Sequence, residues 1–111
     1  MEKWKPIKGW EEFYEISSKG RVKRLPRKFQ DRWGRWKQVT EKIWEVSDYK
    51  ETKDGIKILS VNAQFIKTKL YIRKEVARAF IPNPNNYKYI RLRDKDNNNL
   101  NVDNIEWGRI Q

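Results

Sequence analysis

The chain has 111 residues, no cysteine and no histidine, with 26 lysines and arginines against 15 acids, a formal net charge of +11. That length holds one small domain whose core folds without staples, and the missing residue types exclude disulfides, thiolate zinc sites, cysteine nucleophiles and an imidazole base. Any metal would be a hard, oxygen-bound ion, no segment approaches the roughly 18 apolar residues of a membrane span, and the charge favours encounter with a polyanion, nucleic acid first.

Taken in order, residues Lys3 to Ile16 hold Trp4, Ile7, Trp10, Phe13, Tyr14 and Ile16, too many large apolar side chains for a disordered leader. Nothing before them has the apolar run of a signal peptide, and the expectation is a protein of the cytoplasm or carried in a particle. Ser17-Ser18-Lys19-Gly20 reads as a turn, and Arg21 to Leu25 alternates like a short strand that Pro26 ends. From Lys19 to Lys37 nine lysines and arginines face one acid, Asp31, so this stretch supplies +8 of the net charge. With Gly34 available for a turn, it predicts a β-hairpin carrying its basic side chains on one face. An ordinary solvated hairpin is the plainer alternative, but charge this one-sided favours a polyanion-binding surface. Trp33 and Trp36 are expected in the core, because buried aromatics dominate small cores, with stacking or wedging against bases as their alternative.

Lys42 to Val46, Ile56 to Val61 and Phe65 to Ile72 are β-rich runs for which a meander is the economical topology. In the last of them Phe65, Lys67, Lys69 and Tyr71 alternate with Ile66, Thr68, Leu70 and Ile72. The period then changes: Ile72, Val76 and Phe80 give the spacing of a short helix over Arg73 to Phe80, stopped by Pro82 and Pro84. Tyr89 to Leu92 reads as a strand, Arg93 to Asn101 as a polar turn region, and Val102 to Trp107 as a second short strand. Asp94, Asp96 and Asn98 imitate a calcium loop. Asn99 stands where that motif needs glycine and Ile105 where it needs a bidentate glutamate, so an Asn-rich turn is the reading kept.

Two segments resemble a known family. Trp4, Ile7, Gly9, Glu11, Tyr14, Ile16, Ser17, Gly20 and Val22 are spaced as in the N-terminal motif of the nuclease-associated modular domains (NUMOD class) of phage and intron HNH homing endonucleases, with Trp10 at a position that is usually Tyr or Phe. Val76-Ala77-Arg78-Ala79-Phe80-Ile81-Pro82-Asn83-Pro84, then Asp94, Asn104, Ile105 and Trp107, resemble the nuclease core of the same proteins, and Lys53-Asp54-Gly55 resembles its strand entry. The resemblance implies an α+β fold: a basic β-rich module over residues 1–52, then over 53–111 a truncated ββα-metal core with one short helix. It also implies that Asn104 ties the loop between the last two strands together.

The departures from the family pattern fall on its chemistry. An ungapped match places Leu92 at the general-base histidine, and a leucine cannot take a proton from water. Arg91 falls at a position that carries a metal-binding carboxylate in related enzymes, where a guanidinium would repel Mg²⁺. Arg73 replaces another histidine and Lys95 the loop glycine, and the chain is expected to stop before the helix that closes the family's core. The expectation is a non-catalytic nucleic-acid-binding protein of phage or mobile-element origin, with no catalytic residue, metal or cofactor. It would act in an infected bacterium's cytoplasm or in a virion, with duplex DNA as partner and no membrane association. Arg21, Lys23, Arg24, Arg27, Lys28, Arg32, Arg35 and Lys37 are the candidate contacts. The alternatives are a repurposed interaction protein, a virion component or an inhibitor docking on a phage or host protein with an acidic surface, and, more distantly, an active metal-dependent nuclease.

Overall fold

The aromatic N-terminal segment forms two strands that composition alone did not reveal. In the computed structural model, which describes residues 1–63 and 66–108, β1 (Trp4–Pro6) pairs antiparallel with β2 (Tyr14–Ser17), and β2 with β3 (Val22–Arg24). The basic stretch is a hairpin of β4 (Arg27–Gln30) and β5 (Trp36–Val39). β6 (Lys42–Trp44) then returns to pair with β3 and completes a four-stranded sheet. A 3-10 turn over Val46–Asp48 leads to a three-stranded meander of β7 (Lys50–Glu51), β8 (Lys57–Ala63) and β9 (Ile66–Tyr71). Phe65, expected in that strand, lies outside the described residues. The helix α1 (Ile72–Phe80) follows, and β10 (Tyr89–Leu92) pairs with β11 (Ile105–Gly108) at the end.

The fold is α+β, mostly β with one helix, as expected. Two details differ. β6 pairs with β3 and not with the strand after it, because β3–β4 and β5–β6 are one long ribbon interrupted at Pro26, whose missing N–H cannot join a ladder. Val102–Asn104 is a 3-10 turn and not strand: the Asn101 side chain accepts from the Asp103 N–H and starts a turn that delays β11 to Ile105.

One hydrophobic cluster joins the whole. Ile7, Tyr14, Ile16 and Val22 from the first sheet pack with Val61 and Leu70 of the meander, Ile72, Val76 and Ala77 of the helix, and Leu92, Leu100 and Ile105 from the end. In α1 the buried Ile72 and Val76 stand one turn apart, and burying each contributes roughly 1.5–3 kcal/mol. The helix stops where the Ile81 N–H donates to the Ala77 carbonyl at 2.9 Å and Pro82 follows.

The turn between β2 and β3 sits at the centre of these contacts. Ser17 is fully buried, and its Oγ accepts from the N–H groups of Lys19 (3.1 Å) and Arg21 (3.0 Å), closing the turn from inside. The Ser18 carbonyl accepts from the Val102 N–H at 2.7 Å, and the Gly20 carbonyl accepts from the buried Tyr49 hydroxyl at 2.8 Å. Gly20 has φ +83°, and a Cβ on it would lie 2.5 Å from the Leu100 Cβ. Gly34 has φ +77° but open space around it, which separates the two costs of replacing a glycine.

Gly34→Ala is therefore expected to cost about 1–2 kcal/mol, the left-handed backbone penalty alone. Gly20→Ala adds an overlap with packed side chain and backbone, for a total of about 2–5 kcal/mol. Urea denaturation of the two variants side by side checks the difference.

Candidate nucleic-acid interface

The ribbon formed by β4 and β5 carries the densest positive charge. Its end is a tight turn built on Asp31, whose carboxylate accepts from the backbone N–H groups of Trp33 and Arg35 and from the Arg35 guanidinium, each at 2.9 Å. Partial loss of hydration opposes ionisation of Asp31, but those donors outweigh it and hold its carboxyl below the usual range. The single acid of the basic stretch is thus consumed in shaping the turn. Arg32 and Arg35 lie over the Trp33 ring at 5.2 and 5.0 Å, and Arg27 lies between Phe13 and Phe29 at 4.9 and 4.8 Å. Such stacking orders a guanidinium while leaving its N–H edge open to an anion.

Two expectations about this ribbon are corrected. Trp33 and Trp36 are not in the core: each is 69% exposed, on a two-stranded ribbon that is separate from the four-stranded sheet. Nor do the cations share one face. The register sets Arg27 opposite Val39, Lys28 opposite Gln38 and Phe29 opposite Lys37, so Arg27 and Lys37 lie on one side and Lys28 and Trp36 on the other.

The eight candidate contacts divide by position. Arg21, Lys23 and Arg24 stand at the ribbon's base, where carboxylates and carbonyls hold them. Arg21 bonds both Glu2 and Glu45, the latter at 2.8 Å, Lys23 approaches Glu15 at 3.8 Å over the Trp4 ring, and the Arg24 Nε donates to the Thr40 carbonyl at 2.9 Å. Arg27, Lys28, Arg32, Arg35 and Lys37 stand on the ribbon itself, and only Arg35 is paired with an acid among the described residues. Sequence reasoning missed Lys67, which lines a groove with Arg27 and Arg32. Its signal was the alternation of Lys67 and Lys69 along β9.

The second locus is the β10–β11 pair. Alternation turns Leu92 inward, 8% exposed within the core, and turns Arg91 and Arg93 outward, each 3.6 Å from Glu106. Leu92 offers no proton acceptor, and two guanidiniums flank it. Arg73 is half-buried; burial lowers its pKa, and among the described residues its Nε has no partner while its Nη2 donates to Asn97 at 3.1 Å. Asn104 closes the loop as the resemblance implied: its Oδ1 accepts from the Asp94 N–H (2.9 Å), and its Nδ2 donates to Asp94 Oδ1 (2.7 Å) and the Asn99 carbonyl (2.9 Å). The Asp96 N–H and the Asn99 amide also donate to Asp94, whose carboxyl these bonds hold below its ordinary value. Lys95, at the position of the family's glycine, keeps a left-handed φ of +60°. Among the described residues there is no group of three or more acids placed to hold a metal ion, and no helix is long and apolar enough to cross a membrane.

Residues 2–93 match the NUMOD4 motif family, and the chain belongs to it. Over 54 residues it is 35% identical to an uncharacterized HNH endonuclease of Acanthamoeba polyphaga mimivirus, a match covering 49% of this chain and 16% of that protein. Its fold resembles that of the HNH homing endonuclease I-HmuI, solved in a study of DNA binding and cleavage, with a TM-score of 0.69 and 20% identity over 96% of this chain. The chain spans 52% of the I-HmuI chain and 16% of the mimivirus protein.

The ion pairs at the ribbon's base carry a pH signature. The Arg21 guanidinium beside Glu2 lowers that carboxyl to about 2. Its folded pKa is below the unfolded one, so the stabilisation is full above about pH 4.5 and fades as pH falls toward 2. Glu2→Gln is expected to lower Tm at pH 6, with the gap to the parent closing by pH 2, as thermal melts across that range would show.

Proposed function

We propose that this NUMOD4 member is a non-catalytic duplex-DNA-binding protein of phage or mobile-element origin, derived from an HNH homing endonuclease. The observation that carries the reading is the β4–β5 ribbon: Arg27, Lys28, Arg32, Arg35 and Lys37 on a two-stranded projection, with Trp33 and Trp36 exposed beside them. A two-stranded ribbon is narrow enough for a major groove, cations on both sides can meet the phosphates of both groove walls, and exposed indoles can stack or wedge. Arg21, Lys23 and Arg24 act in this reading by fixing the ribbon's base, and their exposed edges border the contact. The division near residue 52 is one of labour: residues 1–52 carry the groove-entering ribbon and 53–111 a retained nuclease scaffold packed on the same core.

The absence of catalysis is part of the proposal and rests on Leu92 and Arg91. Abstracting a proton from the attacking water needs a base within hydrogen-bond reach, and Leu92 supplies none. Divalent cations would meet the guanidiniums of Arg91 and Arg93; the Glu106 carboxylate is already paired to both, and that of Asp94 is taken up by the loop's hydrogen bonds. An acidic protein partner is the second reading, and the two exposed tryptophans favour it, since indoles anchor interfaces.

Fluorescence anisotropy with a labelled duplex separates these readings. If six phosphates are contacted, affinity should fall about a thousandfold between 50 and 200 mM salt. Replacing Arg27, Lys28, Arg32 and Lys37 by Gln should lower the slope of log K against log salt by roughly 3–4. No binding at low salt would refute the reading and leave the acidic-protein alternative, and metal-dependent nicking of plasmid would refute the loss of catalysis.

A further inference from the structure

The β7–β8–β9 sheet presents a second basic face. Register sets Lys50 beside Ile58, Ile58 beside Tyr71, Ser60 beside Lys69 and Asn62 beside Lys67. Directly paired residues point to the same side, so these seven share one face. The opposite face sends Leu59, Val61 and Leu70 against the core, which settles that this one is outward. Lys50, Lys67, Lys69 and Tyr71 are all exposed. No acid stands on this face: the one acid of the three strands, Glu51, pairs across the ladder with Lys57 and bonds its ammonium on the other side. Among the described residues, none of the three outward lysines is paired with a carboxylate.

This face is continuous with the ribbon. A groove of about 680 Å³ runs between them, with Arg27, Phe29, Arg32 and Trp33 on the ribbon side and Asn62 and Lys67 on the sheet side. The molecule is 53 Å long, which at 3.4 Å per base pair is about 16 base pairs of duplex. A ribbon inserted in one groove would use only part of that span.

We infer that the outer face of β7–β8–β9 is a second phosphate-contacting surface, with Lys50, Lys67 and Lys69 gripping the backbone of the same duplex beside the groove that the ribbon enters. This rests on the reading of the ribbon above. Lys67 and Lys69 recur about 6.8 Å apart along the strand, with the Ser60 hydroxyl and Asn62 amide as neutral phosphate donors beside them. Protein partners bury patches depleted in lysine and rich in aromatic and apolar residues, whereas here the lysines lie among small polar groups with Ile58 and Tyr71 at one end.

The test is the salt dependence of duplex binding by the whole chain. Lys50→Gln, Lys67→Gln and Lys69→Gln together should lower the slope of log K against log salt by about 2–3, and Lys67→Gln or Lys69→Gln alone by about one each. The corresponding triple Lys→Arg variant should keep the parent slope, since charge is the operative property. The three positions are exposed, and far-UV circular dichroism melts should match the parent. A triple Gln variant with the parent slope, while the ribbon variant loses its own, would overturn this inference and leave the ribbon reading standing. A parent chain that binds no duplex would overturn both.

Discussion

The contact of Gly20 with Leu100 holds the two ends of the chain together, and most of the architecture follows from it. A β2–β3 turn with any side chain at position 20 would push the Asn-rich loop away, because the space a Cβ needs is filled by Leu100. Around this contact the Ser18 carbonyl takes the Val102 N–H and the Gly20 carbonyl takes the Tyr49 hydroxyl. Burial pushes the Tyr49 phenol above its ordinary pKa, so it stays a neutral donor there. One turn thus aligns the first sheet, the connection into the meander and the final strand pair. The motif residues Ser17 and Gly20 have a physical explanation in these bonds, independent of any family.

The positive charge is used in two ways that the fold keeps apart. At the ribbon's base Arg21, Lys23 and Arg24 meet acids, carbonyls and the rings of Trp4 and Trp44. Exposed pairs of this kind contribute modestly each, but together they set the direction in which the ribbon leaves the sheet. On the ribbon the one acid is taken up by the turn, and Arg27, Lys28, Arg32 and Lys37 have no acid partner among the described residues. Self-repulsion is tolerable there because the strands project into water, where screening is strongest. A polyanion arriving at that end finds charge already assembled.

At the other end the β10–β11 pair is organised by the loop that joins it. Asn104 and Asp94 keep the loop knotted through bonds from side chain to backbone and from side chain to side chain. Lys95 keeps a left-handed backbone suited to glycine, a strain that the surrounding bonds sustain. Leu92 adds to the core, where a polar side chain would need a partner, and Arg91 and Arg93 share one glutamate at the surface.

Much of this was legible in the sequence because it depends on local rules. Helix α1 followed from apolar spacing and two prolines, the β4–β5 hairpin from charge and Gly34, and the Asn104 knot from the motif around it. Strands β8 and β9 of the meander showed in their β-rich runs, whereas β7 (Lys50–Glu51) falls in a stretch that reads as a polar connection. What stayed hidden depends on contacts between distant residues. Trp33 and Trp36 look like core by composition, and only the direction of the ribbon leaves them in solvent. β1 and β2 lack a period to betray them, being three and four residues long. The alternation of Lys67 and Lys69 was visible, but which face of β9 meets the core was decided by Leu70 and Val61 packing under the helix. Sequence by itself determined helix α1, the β4–β5 hairpin, strands β8 and β9 and the lack of any imidazole in these 111 residues, since all are properties of residue type and spacing. Tertiary structure alone decided which cations are paired at the ribbon's base and which stand unpaired at its end, because pairing depends on what the folded chain brings within a few ångströms.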